Sequence, residues 1–305
     1  MAVQRVLPSD EIARSVAQPI PRLRLPDRAA VFTRRAARLD QLATDHPLSG
    51  YLRLMAALVR AQQAVLDALP PSSVADDELA RAAAHRMPVL PVNDHRRHRE
   101  WQAVLAQLCE RLAISADLPP AWADLLLRLR QMPAAALDEQ ADSLLVGRME
   151  RVDPATAPFL MAALQVCWTS LAAALDAARI APLDVPGVCP VCGSLPVASI
   201  VRGDGHRYLH CALCAAEWHL VRAKCSHCDA VEGVAYRFIE QLAGGVRAET
   251  CDHCGVYRKI LLQEKDQQVE AVADDLASVA LDVLVGEAGY HRASANPLLW
   301  PSAEG

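Results

Sequence analysis

Eight of the ten cysteines form four Cys-x-x-Cys pairs within 66 residues. The pairs are Cys189/Cys192, Cys211/Cys214, Cys225/Cys228 and Cys251/Cys254. A Cys-x-x-Cys loop directs two sulfurs toward one metal ion, and two such loops complete a tetrahedral shell of four thiolates. The four pairs therefore predict two metal ions, each bound by four cysteines.

The lengths of chain between the pairs indicate which loops share a metal ion. The first and second pairs are separated by 18 residues, the second and third by 10, and the third and fourth by 22. Pairing of neighbours gives two motifs with spacers in or near the zinc-ribbon range, each long enough for a short hairpin. A crossed arrangement, first pair with third and second with fourth, also agrees with the pattern. The spacing favours sequential pairing.

Other uses of cysteine fit this chain less well. The N-terminal sequence lacks the apolar core of a signal peptide, so we expect a cytoplasmic protein, and stable disulfides are rare in that compartment. A thioredoxin-like redox motif is a single Cys-x-x-Cys near a βαβ unit, not four in tandem. Cys109 and Cys167 stand alone in apolar helical stretches, and we interpret both as core residues.

The charge balance bears on nucleic-acid binding, which is a common use of zinc ribbons. The chain has 31 basic and 36 acidic side chains, and residues 187–265 hold nine Lys/Arg and eight Asp/Glu. Eight thiolates outweigh the charge of two divalent ions, so the metal-loaded region would be acidic. Nucleic-acid binding needs a basic face with aromatic side chains, and we therefore expect no nucleic-acid partner.

One stretch is apolar enough to raise the question of a membrane span. The 21 residues from Ala155 to Leu175 carry no charged side chain. They include Pro158 and Gln165 and run directly into Asp176. A buried helix explains these features better than a membrane span, so we expect none.

The elements that must position the cysteines change in type along the chain. Apolar residues recur every three or four positions from about residue 26 to 183, which predicts helices. Short β-type runs and glycines follow Pro186. The sequence thus predicts a multidomain α+β protein: an extended arm over 1–25, a helical domain over 26–183, four-cysteine modules over 187–222 and 223–265, and a C-terminal amphipathic helix and tail over 266–305.

Histidine and arginine residues outside the four pairs are further candidates for binding. The metal region contains five histidines, His206, His210, His219, His227 and His253. Because four cysteines already fill each shell, we interpret these histidines as neighbours of the ligands or surface residues. The basic run from His95 to Arg99 could hold a phosphate or an acidic peptide, but we interpret it as the solvated start of a helix.

The motifs around the cysteines resemble those of the FdhE family of formate dehydrogenase accessory proteins. The resemblance rests on Cys189-Pro190-Val191-Cys192-Gly193, Arg207-Tyr208-Leu209-His210-Cys211-Ala212-Leu213-Cys214, Glu217-Trp218-His219, Lys224-Cys225-Ser226-His227-Cys228, Glu249-Thr250-Cys251-Asp252-His253-Cys254, Tyr257, Lys259, Ala273-Asp274-Asp275-Leu276, Gly289-Tyr290 and Asn296-Pro297. The resemblance is strong over about residues 187–300. For the helical half it extends to the general layout of the chain.

The resemblance implies a cytoplasmic maturation factor that contacts the catalytic subunit of respiratory formate dehydrogenase. It also implies two rubredoxin-like modules that bind iron, one through Cys189, Cys192, Cys211 and Cys214 and the other through Cys225, Cys228, Cys251 and Cys254. Iron is favoured by the resemblance alone, because zinc accepts the same four-thiolate shell. A homo-oligomer is compatible with these features.

Several function classes fit the sequence less well than a maturation factor. The sequence has no phosphate-binding Gly-Lys-Ser/Thr loop, no Gly-x-Ser-x-Gly motif and no Rossmann glycine fingerprint, which favours a non-enzymatic protein. An iron-dependent electron-transfer or redox-sensing protein is the alternative, since iron in four thiolates changes oxidation state and zinc does not. A zinc-ribbon protein that binds nucleic acid is the least favoured class.

Overall fold

The computed structural model describes residues 20–93, 100–114, 120–148, 151–240 and 244–299. Most of the predicted N-terminal arm, the basic run from His95 to Arg99 and the end of the predicted tail lie outside these residues. The described residues form a helical half, followed by a sheet that carries the cysteines and by a short helical segment near the C-terminus.

The helical half follows the apolar spacing of the sequence. Side chains three and four positions apart lie on one face of a helix, so each helix buries one stripe against its neighbours. In the described residues the helices are α1 (Val31–Leu42), α2 (Ser49–Ala68), α3 (Asp76–Ala84), α4 (Trp101–Ala113), α5 (Pro120–Gln131), α6 (Ala134–Val146) and α7 (Ala157–Ala173).

Helix α7 is the uncharged segment of the sequence, and it is the centre of the helical half. Nearly all of its side chains are buried, because α2, α4 and α6 pack around it. No helix among the described residues combines the length and apolar character needed to cross a bilayer. The burial of its side chains makes the segment a core helix, as the sequence predicts.

The second half is built on one mixed sheet. Its strands are β1 (Leu23–Arg24), β2 (Pro196–Val201), β3 (Arg207–Cys211), β4 (Glu217–His219), β5 (Val234–Arg237), β6 (Val246–Cys251), β7 (Val256–Leu262) and β8 (His291–Arg292). Their order across the sheet is β1-β4-β3-β2-β7-β6-β5, with β8 paired to β7. Strand β1 precedes the helices in the chain and pairs with β4 at the edge of the sheet. This pairing connects the start of the helical half to the sheet.

The two cysteine modules meet along a parallel strand pair. Ser199, Ile200 and Val201 of β2 lie opposite Ile260, Leu261 and Leu262 of β7. The neighbouring strand pairs on each side are antiparallel hairpins, which is the local arrangement that the sequence favours. The sequence gives no sign of the parallel pair, because its two partners lie about sixty residues apart and their register depends on packing.

The C-terminal segment contacts both halves. It forms two short helices, α8 (Ala271–Ala277) and α9 (Val279–Glu287), separated at Ser278. Arg38 of α1 donates two hydrogen bonds to Asp274 of α8, at 2.9 Å and 2.6 Å, and both side chains are buried. The fold is thus a mixed helix and sheet protein with two zinc-ribbon-like four-cysteine modules, which confirms the predicted fold class.

Candidate metal centres

The eight paired cysteines lie in two groups of four. Cys189, Cys192, Cys211 and Cys214 form the first cluster; Cys225, Cys228, Cys251 and Cys254 form the second. Within each cluster the four sulfurs lie within 4.8 Å of one another. The grouping follows the sequential pairing of the motifs, and the crossed arrangement is not the one in the structure.

The distances between sulfurs fit a four-thiolate metal shell. In the first cluster the Sγ atoms of Cys189 and Cys214 are 3.5 Å apart, and those of Cys192 and Cys211 are 3.4 Å apart. The corresponding distances in the second cluster are 3.9 Å and 3.7 Å. A tetrahedron with metal–sulfur bonds of about 2.3 Å has edges of about 3.8 Å, whereas a disulfide bond is about 2.0 Å long. Both clusters therefore fit a metal ion of the zinc or iron type.

In the loops that begin at Cys211 and Cys225, backbone N–H groups point at sulfur. The amides of Leu213 and Cys214 each lie 3.4 Å from the Sγ of Cys211 and donate to it, and the amide of His227 donates to Cys225 in the same way. These hydrogen bonds stabilise a thiolate, which is the form of cysteine that binds metal.

The residue after each loop adopts a left-handed conformation. Gly193 and Gly255 have φ values of 80° and 68°, as their glycines predict. Ala215 and Asp229 stand at the same place in the other two loops and have φ values of 58° and 63°. The geometry of the loop therefore outweighs the conformational cost of a positive φ at a residue with a side chain. The four turns are alike although the residues differ.

The first cluster lies at the boundary with the helical half. The amide of Leu90 donates to the carbonyl of Val191 at 2.7 Å, and the amide of Val92 donates to the carbonyl of Cys192 at 3.1 Å. Gln165 of α7 donates to the carbonyl of Ala212 in the second loop at 2.6 Å. All four cysteines of this cluster are at most 1% exposed, because the helical half covers them.

The second cluster is held by its own strands and by the C-terminal segment. The amide of Asp252 donates to the carbonyl of Gly233 at 2.9 Å, and Tyr290 donates to the carboxylate of Asp252 at 2.5 Å. The amide of His291 donates to the carbonyl of Gly255 at 2.8 Å. Cys228 and Cys254 are half-buried, so this cluster reaches closer to the surface than the first.

The thiols of the first cluster influence one another strongly. Burial raises the pKa of Cys189 and of Cys214 well above the usual cysteine value. Burial acts in the same direction on Cys192, but hydrogen bonds from the three other cysteines outweigh it and hold the pKa of Cys192 well below that value. The neighbouring cysteines thus favour the thiolate form of Cys192, which is the form that binds a cation.

The histidines of this region lie beside the clusters or at the surface. Among the described residues, the sulfur clusters include no histidine nitrogen. His227 and His253 are exposed within their loops, and His206 and His219 contact each other edge to face at 5.8 Å. His210 is buried, and its Nδ1 donates to Glu217 at 3.2 Å.

A buried group of charged residues joins the two modules, and no motif in the sequence predicts it. Arg207 of β3 donates to Glu249 of β6 at 2.7 Å, and both side chains are at most 3% exposed. Arg207 also donates to the carbonyl of Lys224 at 3.0 Å, and Arg258 donates to Ser226 at 2.9 Å. Arg258 also donates to the carbonyl of Pro196 in β2, so these contacts hold the loop between Cys225 and Cys228 against the first module.

Two cysteines stand apart from the clusters. Cys109 is buried in α4, and burial raises its pKa to about 11. Cys167 is half-buried in α7, and burial raises its pKa to about 12. Neither belongs to a group of sulfurs, which agrees with their interpretation as packing residues.

Comparison with known proteins identifies the family. The family descriptions "FdhE, N-terminal", "FdhE, central domain" and "FdhE, C-terminal domain" match residues 20–184, 188–222 and 223–299. The chain is 40% identical over 291 residues to the Protein FdhE homolog of Pectobacterium carotovorum subsp. carotovorum (strain PC1), covering 93% of this chain and 92% of that protein. It is 38% identical over 308 residues to Protein FdhE of Escherichia coli (strain SMS-3-5 / SECEC), covering 97% and 98%.

A solved structure gives the same result. The crystal structure of the FdhE protein from Pseudomonas aeruginosa aligns with a TM-score of 0.86 at 40% identity, covering 93% of this chain and 100% of that one. The resemblance found in the cysteine motifs therefore extends over almost the whole chain and its fold. This chain belongs to the FdhE family.

Proposed function

We propose that this protein is an accessory factor in the maturation of formate dehydrogenase and that it binds two metal ions. The proposal is supported by membership of the FdhE family and by the two clusters of four sulfurs within 4.8 Å of one another. The ligands are Cys189, Cys192, Cys211 and Cys214 in one centre and Cys225, Cys228, Cys251 and Cys254 in the other. The clusters are the observation that carries the metal-binding part.

We further propose that the protein acts without catalysing a reaction. Four cysteines in each cluster account for all positions of a tetrahedral ion, so substrate would find no open position on the metal. A protein of this kind acts by binding and by presenting a surface, and the metal ions fix the loops that form it.

The partner that we propose is the catalytic subunit of formate dehydrogenase, contacted in the cytoplasm during assembly. The metal that we favour is iron, on family resemblance; four thiolates bind zinc in the same geometry. Iron would add one-electron redox chemistry, and the second function that we consider is redox sensing or electron transfer. The half-buried position of Cys228 and Cys254 favours this second function for that centre, because electron exchange needs a short path to the surface.

The test combines metal analysis with support of formate dehydrogenase activity. The protein is purified anaerobically, and its metals are measured by elemental analysis; iron keeps the redox function open and zinc excludes it. Cys225→Ser/Cys228→Ser should lose one of two metal equivalents and fail to restore formate dehydrogenase activity in cells that lack the native protein. Cys109→Ala is the matched control, and it should retain both equivalents and full support.

The partner is tested separately by an anaerobic pull-down with the tagged full-length protein. Mass spectrometry of the bound proteins should find the catalytic subunit of formate dehydrogenase enriched over a pull-down with an unrelated tagged protein.

Two outcomes would contradict these proposals. Full formate dehydrogenase activity with Cys225→Ser/Cys228→Ser would contradict the role of the second centre. Absence of the catalytic subunit from the bound proteins would contradict the proposed partner.

A further inference from the structure

The two clusters differ in how completely protein encloses them. In the first, Cys189, Cys192 and Cys214 are fully buried and Cys211 is 1% exposed. In the second, Cys225 and Cys251 are buried, but Cys228 and Cys254 are each half-buried. One cysteine from each loop of the second cluster is therefore partly exposed, and this is the side from which an external ligand can approach.

The enclosure of the first cluster comes from a distant part of the chain. Residues 88–92 lie over its first loop through the hydrogen bonds from Leu90 to Val191 and from Val92 to Cys192. Trp168 of α7 donates from its indole nitrogen to the carbonyl of Leu90 at 3.0 Å and holds this cover in place. An external ligand can reach the first cluster only after the helical half opens at this cover, which breaks these hydrogen bonds.

The second cluster has a different type of enclosure. Its first loop is bracketed by an ion pair between Lys224 and Asp229 at 2.8 Å, with the two side chains 31% and 49% exposed. Its second loop is held through Asp252 by Tyr290. Exposed ion pairs of this type contribute little stability, so the loop can open without breaking a strong contact.

We propose that the second cluster is the exchangeable centre, through which a metal ion is taken up from or passed to an external thiolate ligand, while the first holds its ion permanently between the helical half and the sheet. The inference rests on the proposed function, because it requires both clusters to bind metal. In each step an incoming thiolate takes the place of one cysteine on the ion, and the displaced sulfur receives the proton that the incoming thiol gave up. Cys228 and Cys254 are the ligands displaced first.

The test uses the full-length protein loaded with two equivalents of zinc(II), which is spectroscopically silent and does not oxidise. Excess 4-(2-pyridylazo)resorcinol is added, and the coloured zinc complex is followed with time. We expect two phases of one equivalent each, the first at least about tenfold faster, since release from the first cluster requires opening of the helical half. Iodoacetamide added after the fast phase should label Cys225, Cys228, Cys251 and Cys254.

Two variants assign the phases. Cys228→Ser/Cys254→Ser should abolish the fast phase and leave the slow equivalent. Trp168→Phe should accelerate the slow phase and leave the fast phase unchanged, because it weakens only the cover of the first cluster. The labelling of the unchanged protein assigns the phases without either variant, so a variant that fails to fold does not decide the question.

Three results would overturn the inference. Release of both equivalents at one rate, or early labelling of the first cluster, would show that enclosure does not separate the two centres while leaving the proposed metal binding intact. Binding of fewer than two zinc ions would overturn the proposed metal binding and this inference together. The measured stoichiometry therefore tells the two failures apart.

Discussion

The amide of Leu90 donates a 2.7 Å hydrogen bond to the carbonyl of Val191, the residue that directly precedes Cys192. Leu90 belongs to the connection between two helices, and Val191 to a loop of the first cluster. About a hundred residues of chain separate the two. The helical half thus contacts the backbone of a proposed metal-binding loop, so the stability of each depends on the other.

The hydrogen bond from Trp168 to the carbonyl of Leu90 gives a first prediction. Trp168→Phe removes the indole N–H that bonds the carbonyl of Leu90. Leu90 is fully buried, and a buried carbonyl without a donor costs about 1–3 kcal/mol. We expect a loss of stability of about 2 kcal/mol in urea unfolding followed by circular dichroism. Trp122→Phe is the control: its ring packs edge to face on Phe159 at 4.8 Å and is half-buried. Equal losses in the two variants would contradict the assignment.

The buried ion pair between the modules gives a second prediction. Glu249→Leu leaves the charge of Arg207 buried without a counter-charge, which costs about 3–5 kcal/mol. The double variant Arg207→Met/Glu249→Leu removes both charges and should lose less stability than Glu249→Leu alone. Urea unfolding of Glu249→Leu, Arg207→Met and the double variant gives the coupling energy between the two side chains. A double variant that loses the sum of the single losses would show that the pair does not couple the modules.

The pH dependence of stability gives a third prediction. Burial acts to raise the pKa of Glu217, but His210 and Arg202 outweigh it and lower the pKa from 4.5 to about 2. A carboxyl whose pKa falls on folding stabilises the protein above its unfolded value, and this contribution is lost as pH falls through the folded value. The contribution is roughly 3 kcal/mol at neutral pH.

The measurement compares Glu217→Gln with the unchanged protein. The unchanged protein should be more stable at pH 7, and the difference in urea midpoints should shrink as the pH is lowered from 4.5 toward 2. Glu287→Gln, at an exposed position of α9, should match the unchanged protein throughout. A difference for Glu217→Gln that is constant over this range would contradict the role of its charge.

A close approach between the two modules gives a fourth prediction. A Cβ atom on Gly187 would lie 2.4 Å from the carbonyl oxygen of Ser226, within the loop between Cys225 and Cys228. Because backbone atoms form this contact, Gly187→Ala must shift the loop, and we expect a destabilisation of about 1–3 kcal/mol. Zinc affinity of the second centre should fall in competition with a chelator. Gly203→Ala meets no atom within 4 Å and should leave both quantities unchanged; the same loss there would point to a general effect of alanine.

The sequence by itself determined the local elements and the composition of the clusters. The spacing of Cys189, Cys192, Cys211 and Cys214 indicated a four-cysteine module because a loop of fixed length restricts where its two sulfurs point. The uncharged stretch around Gln165 indicated a buried helix in the same way, since the periodicity of side chains is a local property. These features need only neighbours in the chain.

Only the tertiary structure decided how the modules meet and how deeply each cluster is enclosed. The parallel pairing of Ser199 with Ile260, the hydrogen bond from Leu90 to Val191 and the ion pair between Arg207 and Glu249 join residues that are distant in sequence. Such contacts depend on which surfaces remain apolar or unpaired after the local elements form, and no spacing rule encodes that outcome. The two cysteine motifs look equivalent in sequence, and packing against the helical half makes the centres different.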